Sequence, residues 1–205
     1  MGKLIDLNTL LLNSIRAENF SGYDPFDLLN SRLFKATPMY RNEWIRLGWL
    51  QLGKRSPINF RRLLLVPKKR NPKGVSLFIF GLLEDYRRTG EAHYLQEASK
   101  LSDWLLAERS SLLEWKHSCW GYHFDWQARA FFVPAGKPNI ITTCYVARAL
   151  HELGMVTADQ SLIDIALDAA RFISKQLYTE VDGRSFYAYI PGEQAFVHNA
   201  SLWGA

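Results

Sequence analysis

Four long segments of this chain carry apolar residues at helical spacing. Residues 75–88 (VSLFIFGLLEDYRR) are apolar on nearly every side through two turns, the pattern of a helix buried most of the way round. Residues 91–108 differ. Tyr94, Leu95, Ala98, Leu101 and Leu105 form one stripe, as expected of a one-faced helix. The alternation then repeats. Residues 139–153 are again broadly apolar, and residues 161–177 carry Leu162, Ile163, Ala166, Ala170 and Ile173 on a single stripe. An offset of about 68 residues aligns Leu82 with Leu150, Thr89 with Thr157, Ala98 with Ala166 and Trp104 with Phe172, and an internal period of this kind predicts stacked helix hairpins. The expected fold class is therefore all-α, with 75–88 and 139–153 as inner helices and the amphipathic pair outside them. An earlier segment, 41–52, carries Trp44, Leu47 and Trp49 and reads as a further inner helix.

The connections are unequal. Inner-to-outer turns are short (RRTGE and GMVTAD), whereas 109–138 and 177–197 are long, and long loops in compact domains are usually functional or disordered. The second long connection predicts a small β-hairpin near residues 180–198, with 185–190 and 194–198 as strands and Pro191-Gly192 as the turn. Beyond it, Asn199 reads as the cap of a new helix beginning at Ala200. The expectation is a single domain over 1–205, the N-terminal half of a truncated (α/α)6 toroid, with self-association through apolar flanks such as Phe78, Ile79 and Trp203.

Composition narrows the class. The chain has 205 residues, 48% of them hydrophobic and 22% charged, which fits a folded domain and excludes a disordered one. No apolar run reaches 18 residues, so no membrane span is expected. Two cysteines, Cys119 and Cys144, make neither a disulfide framework nor a metal cluster, and His117 and His123 lack a third ligand. Cytoplasm is the default location. The net charge of +5 is concentrated in residues 54–73, read as a solvated loop or a polyanion patch. No nucleic-acid motif accompanies it, so no nucleic-acid partner is expected. No cofactor motif is present, neither a phosphate-binding glycine loop nor a serine-nucleophile elbow.

Candidate chemistry gathers in three places. The first is residues 115–134, where Trp115, Trp120, Tyr122, Phe124, Trp126, Phe131 and Phe132 surround Asp125, Arg129, His117 and His123. Aromatic faces stack on the C–H faces of sugars while carboxylates and Arg take the hydroxyls, so Trp120, Tyr122, Trp126 and Arg129 are candidate binding residues and Asp125 a candidate acid or base. The alternative is a packed loop in which Asp125 pairs with Arg129. The second place is Tyr23-Asp24-Pro25-Phe26-Asp27. Asp24 at the N-cap, Pro25 at N1 and Asp27 at N3 explain these residues structurally. Functionally, Asp27 would join Asp125 as the carboxylate pair of glycosidic bond cleavage, with Tyr23 and Asp24 binding the sugar. The third is His198-Asn199: His198 is a candidate acid or base, and Asn199 a candidate substrate-binding residue or the cap of the helix.

Four blocks, GYDPFDLLNS, KRSPINFRRLLLVPKKRNPKG, CWGYHFDWQARAFFVPAGKPNIITT and HNASLWGA, resemble in order and spacing those of a family in the six-hairpin glycosidase-like superfamily that is associated with polysaccharide or lipopolysaccharide biosynthesis. The resemblance spans nearly the whole chain, and members are about twice this length. Trp203 departs from it, standing where an aliphatic residue is expected. What it implies is an (α/α) toroid and a carbohydrate partner, in a superfamily that includes hydrolases, lyases and epimerases. No catalytic residue transfers from it. The leading expectation is a carbohydrate-active protein working on a poly- or oligosaccharide by carboxylate acid/base chemistry. The alternatives are a non-catalytic glycan-binding or scaffold protein and an inactive fragment.

Overall fold

The computed structural model describes residues 2–205, with side chains at residue 7 and from residue 9 onward. Helix accounts for 59% of the chain and strand for 8%, so the structure is mostly helical with two small antiparallel hairpins. The chain forms two compact units, residues 1–71 and 72–205.

The first unit contains α1 (Gly2–Ala17), the short α2 (Arg32–Lys35) and α3 (Glu43–Arg55), with 3-10 turns at Asp27–Asn30 and Pro38–Arg41. Ser31 caps α2 by accepting from the Phe34 amide, and Asn42 caps α3 by accepting from Trp44 and Ile45. The core is small: Leu28, Leu29, Phe34, Leu50 and Val66 are buried, and Phe34 stacks on Trp49 at 4.6 Å. The expectation of an inner helix over 41–52 is corrected here. Of α3 only Leu50 is buried, and Trp44 is 71% exposed. The aromatic residues of this segment mislead because Trp49 is consumed locally, donating from Nε1 to the Leu28 carbonyl.

The second unit is built on a repeat. Its helices are α4 (Pro72–Thr89), α5 (Ala92–Ala107), α6 (Leu112–Trp115), α7 (Ile140–Thr157), α8 (Gln160–Phe172), which runs on into a π turn at Ile173–Leu177, and α9 (His198–Gly204). Both ends of α4 and α7 differ by 68 residues, as do the starts of α5 and α8. Each pair is an antiparallel hairpin joined by two residues, and α4 packs on α7. Burial follows the expected order. Nine of the eighteen residues of α7 are buried against four of thirteen in α8, and six of eighteen in α4 against four of sixteen in α5. The stripe of α8 runs through Leu162, Ala166, Ala169 and Phe172, leaving Ala170 exposed.

The turns show why the repeat holds. The residue ending each first helix is left-handed: Gly90 has φ 73° and Ala158, its equivalent at offset 68, has φ 56°. At α7 this lets the Ala158 and Asp159 amides reach back to the Gly154 carbonyl, satisfying the helix end. Asp159 then caps α8 by accepting from the Ser161 amide, whereas its equivalent Glu91 makes no such bond on α5.

Both long connections carry a hairpin. In the first, β1 (Trp126–Gln127) pairs with β2 (Phe132–Val133), a pairing the sequence did not signal. In the second, β3 (Tyr178–Val181) pairs with β4 (Arg184–Tyr187), which corrects the expected strands and turn. The turn is Asp182-Gly183, both at positive φ. That geometry matches strand twist, whereas the fixed negative φ of Pro191 does not. Helix α9 also begins earlier than expected. Its N-cap is Val197, so His198 is the first helical residue and Asn199 is not the cap.

Candidate functional site

The predicted site residues divide between the two units. In the first, Asp24 lies in the turn that leads into the 3-10 helix and Asp27 at the helix start. Asp27, not Asp24, opens the helix, and the preceding Phe26 occupies the cap position. The Asp24 carboxylate accepts from the Phe26 amide at 2.9 Å and from Asn71 at 3.1 Å. The Asp27 side chain turns back to accept from the Asp24 amide at 2.9 Å. Its other oxygen meets Arg61 Nε at 2.6 Å, with side-chain exposures of 1% for Asp27 and 10% for Arg61. Burial pushes the Asp27 carboxyl above its ordinary value, against the pull of Arg61 and of the Asp24 amide. Arg61 also donates to the carbonyls of Asp24 and Pro25, so one guanidinium closes the whole turn. Tyr23 is half-buried, with the Arg61 and Lys68 cations about 6 Å from its ring centre.

In the second unit the aromatic loop between α6 and α7 does two jobs. Trp120 is fully buried and donates from Nε1 to the Leu105 carbonyl at 2.7 Å, while its backbone is clamped by Thr143 and the Asn139 amide. A ring with no exposed face offers nothing for a sugar to stack on, so Trp120 is the pin that fastens the loop to α5 and α7. Tyr122 and Trp126 are half-buried and face a common neighbour, Tyr189. The Tyr122 hydroxyl lies 2.9 Å from that of Tyr189, and the Trp126 and Tyr189 rings are 5.1 Å apart. Tyr122 also stacks on Phe124 at 5.0 Å with nearly parallel planes. Asp125 is 8% exposed and accepts from the Ala135 amide at 2.7 Å, tying the two arms of the β1–β2 loop together. Arg129 is exposed at the hairpin tip. His198 and Asn199 are both exposed, and the His198 ring leans on Phe196 at 4.3 Å.

No family model matches this chain, and no curated protein sequence matches it.

Two groups escaped the sequence reading. One is Arg61, the single cation of the basic stretch 54–73 that is buried. The other is Asp168 on α8. Its two oxygens take His117 Nδ1 at 2.8 Å and the Ser118 amide at 2.7 Å. Burial alone would raise the Asp168 carboxyl. The hydrogen bonds from His117 and from the Ser118 amide and hydroxyl outweigh it and hold the group below the usual carboxylate value. The ionised Asp168 thus fixes His117 as an Nδ1 donor and orients its ring. Neither cysteine is a nucleophile at neutral pH: burial pushes Cys119 to about 12 and Cys144 to about 11. Among the described residues, no helix is long and apolar enough to cross a membrane.

Proposed function

We propose that this chain handles a poly- or oligosaccharide through the aromatic cluster of its second unit, on a scaffold of the (α/α) hairpin toroid type. The observation that carries the reading is the convergence of Tyr122, Trp126 and Tyr189, two half-buried rings and one buried ring tied by a hydroxyl pair at 2.9 Å. Rings held rigidly by their neighbours keep a stacking surface in place without ordering it at the moment of binding. The 68-residue spacing of helix ends supports the toroid reading, because it makes the second unit two copies of one hairpin. The resemblance to a polysaccharide-biosynthesis family points to the same ligand class.

Binding is favoured over catalysis by the state of the carboxylates. Asp27 is committed to a buried ion pair and Asp125 to a backbone amide. Titrating the full chain with neutral and acidic oligosaccharides by calorimetry tests the proposal. Trp126→Ala should weaken binding by about 5- to 150-fold, the effect of losing one stacked aromatic. Asp125→Asn should leave binding within a few-fold. Turnover of an oligosaccharide that Asp125→Asn abolishes, with affinity unchanged, would restore the acid/base reading instead. Equal affinity in the Trp126→Ala and parent proteins would reject the aromatic site.

A further inference from the structure

The first unit contains a cavity of about 260 Å³ lined by Lys35, Ala36, Thr37, Pro38, Tyr40 and Arg41. It lies where the chain leaves α2 and turns through Pro38–Arg41 into α3. Both charged residues in the lining are cations, and no carboxylate lines it. Lys35, Ala36, Pro38 and Arg41 are exposed at its rim, and Thr37 and Tyr40 are anchored beneath them. The Thr37 hydroxyl donates to the Phe34 carbonyl at 2.8 Å, and Phe34, buried and stacked on Trp49, meets the Tyr40 ring edge-on at 5.8 Å. From the other side Arg46 donates to the Tyr40 carbonyl at 2.9 Å and the Arg41 carbonyl at 3.3 Å. Lys35 Nζ and the Arg46 guanidinium each lie 5.9 Å from the Tyr40 ring centre, so two cations flank the aromatic that lines the cavity beside Arg41.

A cavity whose charged lining is cationic carries a positive local potential, which an entering anion would offset. A guanidinium and an ammonium lining one cavity match a tetrahedral oxyanion: the fork of Arg takes two oxygens and Lys acts as a point charge. The volume lies below the roughly 300–1,000 Å³ of sites for drug-sized ligands, which limits the occupant to a small body. We propose that this cavity binds a phosphate group, either free or as the phosphomonoester of a small molecule such as a monosaccharide. The site is built from residues of the first unit alone, and the proposal does not depend on the carbohydrate reading.

The test is a titration of the full chain, at fixed ionic strength, with inorganic phosphate, α-glucose 1-phosphate and glucuronate, followed by backbone amide shifts and calorimetry. Saturable shifts confined to residues 35–42 are expected with the two phosphate compounds. Tighter binding of the sugar phosphate identifies a monoester site, and equal binding identifies a site for the free anion. Lys35→Gln and Arg41→Gln should each weaken binding by about 10- to 100-fold, the effect of one lost hydrogen bond to a charged group. Arg41→Lys should retain part of the affinity. Both residues are exposed, so the variants are expected to fold, and Lys100→Gln on the exposed face of α5 should change nothing. Shifts that never saturate, saturable binding unaltered in Lys35→Gln and Arg41→Gln, or glucuronate binding as tightly as phosphate would each overturn the proposal.

Discussion

At the scale of single residues, the first unit turns on Asp27 and Arg61. Their side chains meet at 2.6 Å almost wholly out of water, and Arg61 also satisfies two carbonyls of the same turn. Removing one member of a buried pair strands the other, which typically costs about 3–5 kcal/mol. Arg61→Leu should therefore lower the unfolding free energy measured in urea by an amount of that order, and a loss within about 0.5 kcal/mol would show that the pair is dispensable. Asp168 gives a pH test. Its carboxyl is held below the ordinary value, so its contribution is present above about pH 4, the unfolded range, and fades as pH falls through the lower folded value. Asp168→Asn should thus reduce the melting temperature at pH 7, and the gap from the parent should narrow as the pH falls below about 4. A gap independent of pH would mean that packing, not the charge, holds the loop. Neither partner was legible in the sequence. Arg61 is one basic residue among many in its stretch, and its carboxylate lies 34 positions away. Asp168 and His117 are 51 apart. Local pattern fixes which residues are charged, but pairing at such separations is decided only when elements pack.

At the scale of elements, the repeat supplies its own control. Gly90 and Ala158 fill equivalent left-handed positions at the ends of α4 and α7. The left-handed conformation costs an L-residue with a Cβ roughly 1–2 kcal/mol, partly offset by the extra freedom glycine has in the unfolded chain. Ala158 is exposed, so replacing it disturbs no packing. Ala158→Gly should stabilise the protein by about 0.5–1 kcal/mol in urea unfolding, and a destabilised variant would contradict the cap geometry. The helices and their period were readable in advance because both the hydrophobic phase and the short turns are local signals. Of the two β hairpins, the second was legible in its connection and in one strand, since the expected 185–190 overlaps β4, but not in its partner strand or turn, and the first was not legible. The second hairpin turns on Asp182-Gly183, itself a strong hairpin dipeptide, whereas Pro191-Gly192 closes no ladder. The two-residue strands β1 and β2 are too short to register as alternation at all.

At the scale of the whole molecule, the expectation of exposed inner flanks is met unevenly. Ile79 is fully buried and Phe78 half-buried, whereas Trp203 is 43% exposed and packs on Tyr145 at 4.7 Å. Large apolar side chains are exposed in both units, among them Leu63 and Trp44 in the first and Leu113 and Leu202 in the second. The two extremes of tryptophan environment also fall one to each unit. Trp44, in the first, is 71% exposed, and Trp120, in the second, is sealed from solvent with its indole N–H bonded to a carbonyl. Indole emission shifts to the red in water, and a neutral quencher reaches only rings that solvent reaches. Acrylamide should therefore extinguish the red part of the emission first, and Trp44→Phe should remove much of that readily quenched signal while sparing the blue part. During unfolding, the late red shift of the protected component would then time the opening of the α5–α7 core around Trp120. The chain thus carries its own optical clock for the hairpin unit, with no added label.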